Sequence, residues 1–213
     1  MTDLPDDKDL EELKKDNFKE LRDFSPMFRS LYPRKEGIKV VDYGCSWSYN
    51  VYKLRTTEFD AVGYELSIPR ARFGIQKLGI EIETDTASIR TGNDVFFPTH
   101  TIEHLASIPD FINLSMEKLN SEGTFIAICP NGSVDYQKRN PSSYSQTWGS
   151  LHPNYLDIDF ASFAFRNNPF MIQTSDWIFD TEKIANWNGR SQVIGDHREG
   201  YELLIIAKPN IVL

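Results

Sequence analysis

The stretch Ile38-Lys39-Val40-Val41-Asp42-Tyr43-Gly44-Cys45-Ser46-Trp47 decides the fold. A short β-branched run ends in an acid and meets a glycine at once, which predicts a strand closing in a tight turn. Val51 to Arg55 has helical character. A second run of the same design, Asp60-Ala61-Val62-Gly63-Tyr64-Glu65, again ends in an acid. Ser67 then suits a helix N-cap, Pro69 the first helical turn, and Gly79 the stop after Leu78. Strand, glycine turn, helix, strand and acid in that order is the repeating unit of a parallel sheet covered by helices.

Outward from this unit the texture continues. Ile80–Glu83 reads as a third strand, Asp94–Pro98 as a fourth, and Gly123–Pro130 as a fifth. Ile102 to Leu119 carries apolar residues at helical spacing, interrupted near Pro109. Residues 131–168, rich in Asn, Ser, Tyr and Trp, are expected to be irregular. Met171–Phe179 and Glu202–Ala207 read as two final strands with no long helix between them, which favours antiparallel pairing there. The expectation is an α/β fold: a doubly wound, mostly parallel seven-stranded, Rossmann-like sheet over residues 37–213, with an antiparallel last strand. Residues 1–36 form an N-terminal helical extension, with Leu10, Leu13, Phe18, Leu21, Phe24, Phe28 and Leu31 as its apolar stripe and a break at Ser25-Pro26. Such a segment either lays one face on the domain or serves as a lid over a ligand site.

Composition narrows the function. The 213 residues carry Lys+Arg 23 against Asp+Glu 31, a net charge of −8. That balance argues against a nucleic-acid partner, whose phosphates demand a basic surface. Two cysteines, Cys45 and Cys129, form neither a CxxC pair nor a zinc spacing, which suits reduced thiols in the cytoplasm. The acidic start lacks the apolar core of a secretory signal, and the apolar runs are too short for a membrane span.

In an open parallel sheet, ligands bind beyond the carboxyl ends of the strands. The informative residues are therefore those just after each strand: Asp42 to Trp47, Glu65 and Leu66, Thr84 and Asp85, Thr99 to Thr101, and Asn131 to Ser133. Glu65 follows Asp42 by 23 positions, the spacing at which an acid ending the second strand takes both hydroxyls of a ribose. Neither GxGxxG nor GxxxxGK[ST] occurs, so little is available to cradle a diphosphate. An acid beside the turn, with Tyr43, Trp47 and Tyr49 around it, fits a cationic ligand that carries a ribose.

These residues resemble the class I S-adenosylmethionine-dependent methyltransferases. Val40 to Cys45 is similar to the first motif of that family, and Glu65 stands where the family places its ribose-binding acid. DVFFPTHTIEH at Asp94–His104 is similar to its fourth-strand segment, and NSEGTFIAICPN at Asn120–Asn131 to its fifth strand and the turn before it. The resemblance spans residues 38–132, in order, and lies closest to the broad group acting on quinones and cell-surface sugars. It departs in the first loop, where Ser46 stands at the second glycine and Ser48 and Asn50 at positions usually small.

The resemblance implies S-adenosylmethionine as cofactor and a small-molecule or glycan acceptor, with a homodimer left open. It implies backbone contacts from Gly44, Cys45 and Ser46 to the amino-acid end of the cofactor, with Asp42 nearby. Glu65 would take the ribose, Leu66 the adenine face, Asp85 the adenine amino group, and Thr99 and His100 the methyl end.

A base is needed only if the acceptor loses a proton. His100, His104 and His152 are the candidates. His100 faces the pocket, His104 either shares that role or locks the turn through a backbone carbonyl, and His152, with Trp148 and Tyr155, suits a planar or sugar-like acceptor. The same aromatic loop is equally consistent with simple packing on the core. His100 and His104 read HxxxH, but no third ligand lies nearby in sequence, so no metal is expected. His197 is expected in a solvated turn. Two other functions compete: a non-catalytic methyltransferase-like binding module with a degenerate cofactor loop, and a nucleotide-sugar or dinucleotide oxidoreductase, which the missing glycines disfavour.

Overall fold

In the computed structural model, β1 (Lys39–Tyr43) runs parallel to β2 (Asp60–Tyr64) on one side and to β4 (Asn93–Pro98) on the other. The structure describes residues 4–33, 36–149, 152–176, 178–194 and 200–210. Outward from β2 lies the short β3 (Ile82–Glu83). Outward from β4 come β5 (Leu119–Pro130), β8 (Glu202–Ala207), β6 (Phe170–Ser175) and β7 (Gln192–Ile194), so the sheet order is 3-2-1-4-5-8-6-7. Among the described residues only β8 runs antiparallel, to both β5 and β6. The expected α/β sheet is present with its antiparallel last strand. That strand is inserted between β5 and β6 and does not lie at the edge.

The strands read as nearly continuous apolar runs because both faces of the sheet are covered. Val40, Ile126, Ile128, Leu204 and Ile206 face one cluster; Val41, Phe125, Ala127, Leu203 and Ile205 face the other. The first face is covered by α1 (Asp7–Lys15), α2 (Ser25–Leu31), α3 (Tyr49–Thr56), α4 (Ile68–Leu78) and α9 (Thr181–Ala185), through Leu10, Phe28, Leu54, Ala71 and Ile184 among others. The second is covered by α5 (Ile108–Lys118) and α8 (Ile158–Ala164), with Phe111, Ile112 and Ala161 buried. Helix α4 has the predicted ends, with Ser67 at its N-cap, Pro69 in its first turn, and Gly79 left-handed at φ 66° at its C-cap.

Four details differ from the sequence reading. An eighth strand, β7, pairs with β6; its three residues are too few to show a period. The segment 131–168 contains α6 (Val134–Arg139), α7 (Pro141–Thr147) and α8, each opened by a local signal. The Ser133 hydroxyl accepts from the Tyr136 N–H, Pro141 sits in the first turn of α7, and the Asp157 carboxylate accepts from the Phe160 N–H. The break in the extension comes before Ser25-Pro26, at Asn17 and Phe18, both at positive φ. Pro26 lies in the first turn of α2, where its missing N–H costs nothing. Buried Phe18 anchors that bend, and the Lys53 ammonium donates to the carbonyls of Phe18 and Leu21. Similarly, Pro109 opens α5, and the preceding 3-10 turn Ile102–His104 is separate from it. His197 lies outside the described residues, as does part of the stretch expected to extend β6 to Phe179. Among the described residues, no helix is long and apolar enough to cross a membrane.

Candidate functional site

The turn after β1 alternates in handedness. Gly44, Ser46 and Ser48 have φ of 80°, 54° and 65°. The two serines keep the left-handed backbone in spite of their side chains, at about 1–2 kcal/mol each. Gly44 has a second reason to be glycine, because a Cβ there would collide with the side chain of Thr101. Ser48 is buried, and its hydroxyl donates to the Cys45 thiol at 2.6 Å. Burial, reinforced by Asp42, pushes that thiol well above its ordinary pKa, which leaves Cys45 unsuited to act as a nucleophile.

The N–H groups of Gly44 and Cys45 both donate to the Tyr64 carbonyl, at 2.8 and 3.0 Å. The Ser46 N–H donates to Glu65 Oε2 at 2.8 Å. The expected backbone contacts from this turn are therefore not donated by amides, which are already engaged. Carbonyl oxygens are what the turn has to offer, and these suit an ammonium group.

Glu65 turns inward across the rim. Its second oxygen, Oε1, accepts from the Ser67 N–H at 2.7 Å, so one carboxylate ties the β1 turn to the start of α4. Arg70 lies alongside and donates to the Ser46 hydroxyl at 2.6 Å. Leu66 and Ile68 beside them are exposed. Asp85 is also exposed in this region, and its Oδ1 caps a 3-10 turn through the Ala87 N–H.

Asp42 is 4 % exposed. Desolvation raises its pKa to about 7, opposed by a hydrogen bond from Asn50 Nδ2 at 3.0 Å and aided by the Glu65 charge. Asn50 Oδ1 and the Thr99 hydroxyl are buried without hydrogen-bond partners among the described residues. Trp47 does not enter the rim; its ring packs among Phe18, Tyr49 and Phe73.

A second constellation gathers at the ends of β4, β5 and β8. His100, at φ 48°, places Nε2 3.0 Å from Glu202 Oε1, and the same carboxylate receives Arg22 Nη1 at 2.7 and 2.6 Å. Glu103 is wholly buried, with His100 Nδ1 at 3.7 Å and His104 Nε2 at 4.0 Å from its Oε1. Burial raises its pKa, against the pull of His100. The rings of His104 and His152 meet edge to face at 4.6 Å, and burial together with His104 lowers the pKa of His152.

The loop after α7 thus returns over the strand ends. Asn154 pins it there, its amide nitrogen donating to the carbonyls of Glu103 and Leu105. Trp148 and Tyr155 stack at 4.7 Å beside His152. A groove of about 200 Å³, lined in part by Tyr43, Leu105 and Phe111, opens near the end of β1. A larger cavity of about 460 Å³ is lined, among the described residues, by Pro5 to Glu20 of the extension.

The structure thus groups Asp42, Gly44, Cys45, Ser46 and Glu65 in one place and His100, His104 and His152 in another, with Thr99 leading into the second. Sequence reasoning missed Arg22, Glu103 and Glu202. Glu103 was within reach, as a lone acid between two histidines. Arg22 and Glu202 lie 180 positions apart and only the fold joins them.

No family model matches this sequence, and neither does any curated protein. Solved structures do match over nearly the whole chain. The plantazolicin methyltransferase BamL, in complex with a triazolic desmethylPZN analog and SAH, is 12 % identical with a TM-score of 0.68, covering 97 % of this chain and 91 % of its own. A putative methyltransferase in complex with the Haloferax volcanii Trm112 methyltransferase activator gives 15 %, 0.61, and 97 % of each chain. A SAM-dependent methyltransferase from Thermotoga maritima, a possible histamine N-methyltransferase, gives 11 %, 0.59, and 95 % of each. The chain has the fold of the class I S-adenosylmethionine-dependent methyltransferases.

Proposed function

We propose that this protein transfers a methyl group from S-adenosylmethionine to a small-molecule acceptor. The observation that carries the reading is the inward Glu65, held beside a left-handed turn at the end of β1 on a sheet shared with SAH-bound enzymes. The rim fits the cofactor on its own terms. A buried carboxylate at Asp42 and a buried, unpartnered hydroxyl at Thr99 both suit a cationic amino-acid end.

In this reading Glu65 accepts from both ribose hydroxyls while keeping its two backbone N–H bonds, since each carboxylate oxygen has two lone pairs. Leu66 covers the adenine, and Asp85 accepts from its amino group. Asp42 and the turn carbonyls face the ammonium. The sulfonium brings its own activated methyl group, so the chain supplies alignment and exclusion of water. His100, oriented by Glu202, takes a proton from an acceptor hydroxyl; His104 and His152, with Trp148 and Tyr155, line the acceptor side. Calorimetry with S-adenosylhomocysteine tests the proposal. Micromolar binding that weakens by about 1–3 kcal/mol in Glu65→Ala is expected, and no heat at millimolar ligand overturns it.

The reading as a non-catalytic module rests on the engaged amides of Gly44 and Cys45 and on Arg70 across Ser46. A Trp47 ring filling the cleft would favour it as well, but that ring sits in the core. S-adenosylhomocysteine binding without methyl transfer to any acceptor in a broad screen by mass spectrometry would favour it.

A further inference from the structure

We propose that Glu103, His104 and His152 form a site for one divalent transition-metal ion of the zinc type. One ligand atom from each residue can be chosen so that all lie within 4.8 Å of one another. His104 was set aside as a ligand in the sequence because HxxxH had no third member nearby. The fold supplies that member from the loop after α7, and puts Glu103 in place of His100.

The independent observation is Glu103 itself. Its side chain is 0 % exposed, and among the described residues neither carboxylate oxygen has a hydrogen-bond partner, the imidazoles of His100 and His104 standing off at 3.7 and 4.0 Å. A buried carboxylate without donors is costly unless a positive charge meets it. His152 repeats the pattern, with a buried Nδ1 that has no hydrogen-bond partner. Two imidazoles and one carboxylate are the donor set of zinc sites that hold the ion by three protein ligands and keep a fourth position for water or substrate. Bonds near 2.0–2.2 Å require the three ligand atoms to draw together from their spacing of up to 4.8 Å.

The surroundings hold the ligands as such a site needs. Asn154 fixes the backbone of Glu103 by two bonds to its carbonyl, one from its N–H and one from its amide, both 3.2 Å. Trp148 packs edge to face on His152 at 5.9 Å. Such supporting contacts orient first ligands and tune the ion.

The inference stands apart from methyl transfer, because its readout needs neither cofactor nor acceptor. The metal-stripped full chain is titrated with Co²⁺, followed by visible ligand-field absorption, and with Zn²⁺, followed by calorimetry. One equivalent is expected to bind and to raise the thermal midpoint. His152→Ala and Glu103→Gln are each expected to weaken binding at least about 100-fold, since loss even of an outer-shell partner costs about 10- to 100-fold. If Glu103→Gln does not fold, the exposed His104→Ala carries the test, with cooperative unfolding of the metal-free variant as the control. No stoichiometric binding, or equal binding by parent and variants, overturns the site. S-adenosylhomocysteine binding by the same metal-free protein reports separately on the methyltransferase reading.

Discussion

One nitrogen of Arg22 lies 2.7 and 2.6 Å from the two carboxylate oxygens of Glu202, a residue with no exposed side-chain surface. The guanidinium also lies over the rings of Phe24 and Phe179. The N-terminal extension is thereby locked to the first residue of β8, and through Glu202 to His100. Removing one partner of a buried pair leaves a charge that the interior cannot solvate. Arg22→Ala is expected to lower unfolding stability by about 3 kcal/mol, measured by urea denaturation. Because Glu202 would then hold His100 alone, turnover of an identified acceptor should fall as well. A change below about 0.5 kcal/mol, the range of ordinary surface substitutions, would show the contact to be dispensable.

Glu65 allows a sharper test than truncation. Both of its oxygens accept backbone N–H groups, from Ser46 and Ser67. In Glu65→Gln, the amide nitrogen must face one of those donors whichever way the side chain turns. The variant should lose about 1–3 kcal/mol of S-adenosylhomocysteine affinity, read by calorimetry, with a smaller loss of global stability because the rim is half-exposed. If Gln binds as the parent does, the ribose assignment fails.

The succession of the first five strands along the chain and the two strand-end acids were legible because they depend on local pattern: a β-branched run, an acid, a glycine. Helix α4 was legible to its caps for the same reason. The bend at Asn17 and Phe18 was not, because its cause is tertiary: buried Phe18 among Trp47, Tyr49 and Tyr52, and Lys53 on its carbonyl. The helices between Val134 and Ala164 had capping signals but little apolar periodicity, and the period is what a sequence reading weighs most. Of the site, the rim could be listed from strand ends. The Arg22–Glu202–His100 chain and the approach of His152 to His104 could not, since each joins segments that only the sheet order brings together.

The first turn predicts opposite outcomes for placing glycine at its serines and for removing its glycine. Ser46 and Ser48 occupy left-handed backbone where glycine is at ease, whereas Gly44 is held both by its φ of 80° and by Thr101. Ser46→Gly relieves about 1 kcal/mol of backbone strain and forfeits a partly exposed bond from Arg70. It should leave stability level or raise it, and open the rim for ligand. Ser48→Gly gives up a buried hydrogen bond to Cys45, so its gain should be smaller. Gly44→Ala should cost several kcal/mol, because the backbone and the neighbour both resist it. Thermal unfolding of the three variants side by side decides the order; a stable Gly44→Ala would mean that Thr101 yields readily.

Asp42 gives the protein a pH signature. Its pKa rises from near 4 in the unfolded chain to about 7 in the fold, chiefly through desolvation. Between those values the folded state keeps a proton that the unfolded state has released, so stability falls as pH rises through the window and levels off above it. Asp42→Asn removes the penalty while keeping an acceptor for Asn50. The variant should be more stable than the parent at pH 8, by up to about 4 kcal/mol, with the gap closing toward pH 4. Ligand binding should run the other way. An ammonium group favours the ionised carboxylate, so the affinity of the parent for S-adenosylhomocysteine should weaken as pH drops below about 7, while that of Asp42→Asn stays low and flat. Parallel stability curves for parent and variant from pH 4 to 8 would show that the buried carboxylate is ionised throughout that range, and the pH dependence assigned to it, of stability and of binding alike, would fail.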